Sequence, residues 1–176
     1  MIAALRADQV DFTVTNATSA RLREVDMTPA LIDLELGYLV VPGSPISNMV
    51  DVDRPGMRIG VSAGSTSQAS LTRLFKNAAV VPMASLKIAG EQLIEKKLDA
   101  FATNKAVLWQ LLDVLPGARL LEGRWGLEHL AIAIPKGREA GLTYVKQFAT
   151  DVRANGQLKS AAARAGLRGT VDAAAP

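Results

Sequence analysis

Arg58-Ile59-Gly60-Val61-Ser62-Ala63-Gly64-Ser65-Thr66-Ser67 decides the architecture. Residues 58–61 read as a short apolar strand, a run of small residues turns the chain, and a helical period follows over 66–77. Leu71, Leu74, Phe75 and Ala78 recur at i, i+3, i+4 and i+7 of that period. The same alternation continues downstream. A strand over 79–82 precedes a helix over 86–97, with Leu86, Ala89 and Leu93 on one face. A strand over 99–102 then precedes a stripe of Leu108, Leu111, Leu112 and Leu115, ended by Pro116-Gly117.

Outside this block, strands read at 10–15 and at 37–41, the latter closed by Pro42-Gly43, and again at 119–121 and 129–134. Helices follow over 139–154 and 157–165, with Gly156 and Gly166 where helix ends belong. The Ala-rich end, 170–176, reads as a frayed tail. Strand alternating with helix implies an α/β fold of βαβ units with mostly parallel sheets. The apolar strands at 37–42 and 129–134 bracket a self-contained block. This predicts two lobes: 1–42 with 129–176, and an inserted 43–128. Two strands crossing between lobes form a hinge able to close on a ligand, which in open α/β sheets sits beyond the carboxyl ends of strands.

Composition narrows the chemistry. The 176 residues are 49% hydrophobic and 21% charged, ordinary for a folded domain. The absence of Cys excludes disulfides, thiolate metal sites and a cysteine nucleophile, and a single His excludes a histidine-rich metal centre. No cofactor or metal is expected, and no catalytic residue is assigned. Apolar runs such as 127–135 fall short of the ~20 residues that span a bilayer. Residues 1–5 carry no basic flank of the kind that opens a signal peptide. The net charge of +3 belongs to 136–176, which holds seven Lys/Arg against three Asp/Glu. Spaced single charges read as a solvated surface, and 5% aromatics offers few stacking platforms, so no nucleic-acid partner is expected.

Three turns at strand ends carry polar groups. Thr15-Asn16-Ala17-Thr18-Ser19-Ala20-Arg21 offers hydroxyls, a carboxamide and a guanidinium suited to forking onto a carboxylate. The same residues also read as a plain N-cap, Thr18 or Ser19, before a short helix. The 60–67 turn exposes backbone N–H groups at a helix start, without the ending of a Walker loop. Thr103-Asn104-Lys105 could face a polar ligand or simply cap the leucine-striped helix. His129 adjoins Glu128, Trp109 reads as packing, Trp125 sits on a loop, and Asp33 and Glu35 have no partner assignable from spacing.

The ordered set resembles the family 3 extracellular solute-binding proteins of ABC importers. It comprises Val10-Asp11-Phe12-Thr13-Val14-Thr15, the turn through Arg21, Val25-Asp26-Met27-Thr28-Pro29, Gly60 to Ser65, Leu98-Asp99-Ala100, Ala131 to Gly137, and Asn155-Gly156-Gln157-Leu158. The resemblance implies a two-lobe type 2 periplasmic-binding-protein-like fold, a periplasmic location and a membrane permease as partner. It also implies a carboxylate-bearing solute, an amino acid or related organic acid, bound without covalent chemistry. By motif, Arg21 would grip the carboxylate, Asn16 and Thr18 would assist, Ser65 and Thr66 would hold it from the other lobe, and Asn104 would lie near the third turn. Where amino-acid binders of this family usually carry an Asp, Asn104 supplies no countercharge for an ammonium.

The resemblance also places a strand-helix-strand unit before residue 10 that this chain lacks. That gap predicts a homodimer or swapped assembly covering exposed edge. Two other classes share the fold: an effector-sensing domain of a transcription regulator, and a dehydratase-type enzyme drawing on His129, Glu128, Glu122 or Lys105.

Overall fold

A computed structural model describes residues 2–171; Met1 and the end of the expected tail, 172–176, lie outside the described residues. The elements in chain order are α1 (Ile2–Arg6), β1 (Thr13–Asn16), α2 (Ser19–Leu22), β2 (Val25–Met27) and β3 (Ile32–Val40). A single 3-10 turn (Met49–Asp51) leads to β4 (Arg58–Ser62), α3 (Thr66–Leu74), β5 (Ala79–Met83), α4 (Leu86–Ile94), β6 (Ala100–Asn104) and α5 (Lys105–Leu112). The chain closes with β7 (Arg119–Leu120), β8 (Gly126–Pro135), α6 (Glu139–Ala154), α7 (Gln157–Arg164) and β9 (Thr170–Val171). It divides into two units, Met1–Leu34 with Glu128–Pro176, and Glu35–Leu127; β3 and β8 are the strands that run from one unit into the other.

In the first unit β8 is the shared strand. β1 pairs antiparallel with it from Thr13↔Ala133 to Asn16↔Leu130, and β2 from Val25↔Pro135 to Met27↔Ala133. Its core is small: Leu5, Val25, Met27, Ala131 and Ala133, with Ile2 and Ala17 packed against them. The residues expected to fray at 170–171 instead pair with β3 through Asp33↔Val171 and Leu34↔Thr170. Short range hid β2, since three residues with a central Asp26 show no period.

The second unit carries the parallel pairing. β4 lies between β5 and β6 and is parallel to both, while β3 joins β6 and β7 antiparallel. The expected mostly parallel arrangement is therefore confined to the second unit. In the first unit β8 runs back against its neighbours, so every described pairing there is antiparallel.

Period-two alternation sorts this unit's side chains onto two faces. Tyr38 and Val40 of β3, Ile59 and Val61 of β4, and Ala100 and Ala102 of β6 pack with Leu71 of α3. On the other face Leu39 and Phe101 pack with Leu93 of α4 and Leu108 and Leu111 of α5. A strand covered on both faces is apolar throughout, as β6 is over Ala100, Phe101 and Ala102, all fully buried. Gly60 answers a steric demand here: a Cβ would stand 2.6 Å from Leu98 Cδ1 and 2.9 Å from Phe101 Cδ2.

Candidate functional site

The first unit presents the β1–α2 turn. Thr18, in extended conformation, caps α2 by accepting the Arg21 backbone N–H at 3.3 Å. The helix is one turn long, so Arg21 folds back over the strand that precedes it. Its Nη1 donates to Thr15 Oγ1 at 2.7 Å and to the Asn16 carbonyl at 3.1 Å. Nε and Nη2 make no hydrogen bond among the described residues, which leaves one edge of the guanidinium to receive a carboxylate. Asn16 is buried, and its side-chain oxygen accepts the His129 backbone N–H at 2.9 Å. It thereby ties β1 to β8, a role that the turn's composition did not reveal.

His129 pairs with Asp33, not with its sequence neighbour Glu128. Nδ1 lies 2.8 Å from Asp33 Oδ1; the Asp33 side chain is 7% exposed and that of His129 is 50% exposed. The partners lie on β3 and β8, 96 residues apart, which is why spacing could not join them.

The second unit presents two helix starts. At β4–α3, Gly64 turns the chain with φ of 70° and Ser65 caps α3 by accepting the Gln68 N–H at 3.1 Å. Gln68 reaches back to accept the Gly64 N–H at 2.7 Å. Thr66 opens the helix, and the hydroxyl of Ser67 beside it is buried with no hydrogen-bond partner among the described residues. At β6–α5, Asn104 caps the helix by accepting the Val107 N–H at 3.0 Å. Lys105 does not stand open to solvent: its side chain is 15% exposed and Nζ lies 2.6 Å from Glu35 Oε2. Arg124 Nη1 reaches the other oxygen of Glu35 at 3.1 Å. The Lys105 hydrogen bond holds the Glu35 carboxyl below its ordinary range, against the opposing effect of burial, and the Lys105 and Arg124 charges add to it. Trp125 belongs to the second unit's packing, with its indole N–H on the Gly37 carbonyl at 3.1 Å and its ring 6.1 Å from that of Tyr38.

The expected residues thus fall in two groups. Asn16, Thr18 and Arg21 share one turn of the first unit; Ser65 with Thr66, and Asn104, stand at separate helix starts of the second. A cavity of about 700 Å³ in the first unit, walled by Leu31, Ile32, Ala149, Arg153, Ala162 and Val171 among others, contains none of them. Among the described residues there is no cluster of His, Asp and Glu able to hold a metal, and no helix is long and apolar enough to cross a membrane.

This architecture is the type 2 periplasmic-binding fold, the fold of the substrate-binding proteins of amino acid ABC transporters. No protein-family model and no curated protein matches the sequence. Among solved structures, a substrate-binding protein of an amino acid ABC transporter superposes with a TM-score of 0.81 at 21% identity, covering 93% of this chain and 74% of that one. A solute receptor for L-cysteine from Neisseria gonorrhoeae superposes at 0.80, with 23% identity over 93% of this chain and 67% of that one. An arginine-, lysine-, histidine-binding protein from Geobacillus stearothermophilus gives 0.75, with 24% identity over 89% and 70%. At these identities the likeness establishes the fold.

Proposed function

We propose that this protein binds a small carboxylate-bearing solute, an amino acid or a related organic acid, and delivers it to the membrane permease of an ABC importer from the periplasm. The observation that carries the reading is Arg21. Its guanidinium is held by Thr15 and Asn16 through one nitrogen, while Nε and Nη2 make no hydrogen bond among the described residues. A planar fork pre-oriented in this way receives a carboxylate bidentately at low entropic cost. The neighbours' names, which speak of amino acids, L-cysteine, arginine, lysine and histidine, support the solute class. In this reading the protein acts by binding alone, with Asn16 and Thr18 fixing the turn. Ser65, Thr66 and Asn104 offer further polar groups from the second unit.

Calorimetric titration with the twenty L-amino acids, their 2-oxo acids and small dicarboxylates tests the reading. Arg21→Ala should weaken whichever of these binds by about 100-fold, the scale of losing one partner of a desolvated charge pair. Unchanged affinity in that variant, or no binding by the parent chain, overturns it. The reading also includes self-association, for which Phe12 and Val14, 63% and 45% exposed beside and on β1, supply apolar surface. Light scattering reads this directly: a dimer supports it and a monomer overturns it.

A further inference from the structure

We infer that His129, held by Asp33, is a second ligand-binding residue of the Arg21 turn, and that it accepts a hydrogen bond from the ligand's amino group. The inference rests on the proposed reading of Arg21 and names what that site selects.

Asn16 joins the two groups. Its backbone carbonyl accepts from Arg21 Nη1 at 3.1 Å, and its side-chain oxygen accepts from the His129 N–H at 2.9 Å. The His129 carbonyl in turn accepts the Ala17 N–H at 2.8 Å, which seats the histidine against the start of the same turn. The guanidinium and the imidazole therefore belong to residues bonded directly to one side chain and its backbone, all within the first unit.

Asp33 sets the chemistry of the ring. A carboxylate only accepts, so the Nδ1 that it meets at 2.8 Å carries the hydrogen. In the neutral ring Nε2 is then the acceptor, and it has no partner among the described residues. Asp33 is almost fully buried whereas the imidazole is half exposed, so the carboxylate is hidden behind a ring that reaches solvent. A buried carboxylate behind the ring also stabilises positive charge brought up to Nε2. An α-amino acid offers an ammonium one carbon away from the carboxylate that Arg21 would take. His129 is a ligand-contacting residue in this scheme; Asp33 is a positioning residue.

Calorimetric titration with L-lysine, L-arginine and L-cysteine, each compared with its Nα-acetyl derivative, separates this role from a structural tie between strands. The parent chain should prefer the free amino acids. His129→Phe should shrink that preference at least tenfold, Asp33→Asn should shrink it less, and His129→Gln, whose amide oxygen remains an acceptor, should retain most of it. If circular dichroism shows His129→Phe unfolded, His129→Lys carries the same expectation at a half-exposed position by setting a cation against the ammonium. Arg21→Ala should weaken free and acetylated forms alike. An undiminished preference in folded His129→Phe or His129→Lys, with Arg21→Ala still impaired, overturns the inference and leaves the Arg21 reading standing. No binding of any free amino acid by the parent chain overturns the inference, and it overturns the Arg21 reading as well if the 2-oxo acids and dicarboxylates also fail to bind.

Discussion

Asp99 clasps Arg58 at three points. Oδ2 accepts the Arg58 backbone N–H at 2.8 Å and its Nε at 3.0 Å, and Oδ1 accepts from Nη2 at 2.9 Å. The Arg58 carbonyl takes the Asp99 N–H at 2.9 Å, so the beginnings of β4 and β6 are laced in both directions. Asp99 is 8% exposed, which makes the backbone N–H it satisfies costly to leave alone. Asp99→Asn should lower unfolding stability by about 2 kcal/mol, the scale of a hydrogen bond to a charged group. Arg58→Ala should cost a comparable amount. The double variant should cost less than the two summed, because the pair is one interaction. Urea denaturation of the three variants measures it; simple additivity would show the clasp to be energetically idle.

Acid should weaken the fold through three carboxylates. For Asp99 burial pushes upward but is outweighed by the hydrogen bonds and charge of Arg58, and the group ends below its ordinary value. Glu35 is lowered by Lys105 and then Arg124, and Asp53 by the backbone N–H groups of Ala78, Lys76 and Asn77. A carboxyl whose folded value lies below its unfolded one binds fewer protons when folded. Its contribution is complete above the ordinary carboxylate range, about pH 4, and is lost as pH falls through the folded value. Denaturation midpoints should therefore drop below about pH 4, and Asp99→Asn should flatten that drop. A midpoint independent of pH from 5 to 3 would contradict the assignment.

Gly60→Ala should destabilise the second unit by about 1–3 kcal/mol, the cost of overpacking. The added methyl would meet Leu98 and Phe101, both essentially without exposed surface, so neither has room to retreat. The control is Gly90→Ala, where a Cβ would meet only Leu115 Cδ2 at an ordinary 3.6 Å. Thermal melts of the two variants should diverge, with Gly60→Ala the lower.

Removing the cap from α3 or α5 should cost about 1 kcal/mol each. Ser65→Ala deletes the acceptor of the Gln68 N–H, and Asn104→Ala that of the Val107 N–H. Ser65→Asp restores an acceptor and should recover the loss. Chemical denaturation decides; a Ser65→Ala protein as stable as its parent would mean that water replaces the cap.

The elements whose signals are local were legible in the sequence. The apolar spacing of Leu71 with Leu74, of Leu86 with Ala89 and Leu93, and of Leu108 with Leu111 shows α3, α4 and α5, and the cap positions narrow to Thr18 or Ser19 before α2 and to the 103–105 segment before α5, where the structure selects Thr18 and Asn104. β3 was only half legible: its apolar end, Gly37 to Val40, reads as a strand, while the acidic Asp33 and Glu35 conceal its beginning. Those two acids gave no partner by spacing because Asp33 meets His129 across 96 residues, and Glu35 meets Lys105 and Arg124 across 70 and 89. The role of Asn16 was hidden for the same reason, since its side chain bonds a residue 113 positions away.

An α/β chain, a guanidinium seven residues after Val14, and helix starts after the 60–67 turn and within 103–105 can all be read from the order of residues. Each of these depends on neighbours within a turn or two, where propensity and hydrogen-bond reach are written in the order of residues. The folded chain alone sets Lys105 against Glu35, makes Asn16 a tie bearing Arg21 on its backbone and His129 on its side chain, and places Asp33 behind the imidazole. Strand pairing and burial made those choices, and both join residues that the chain itself keeps far apart.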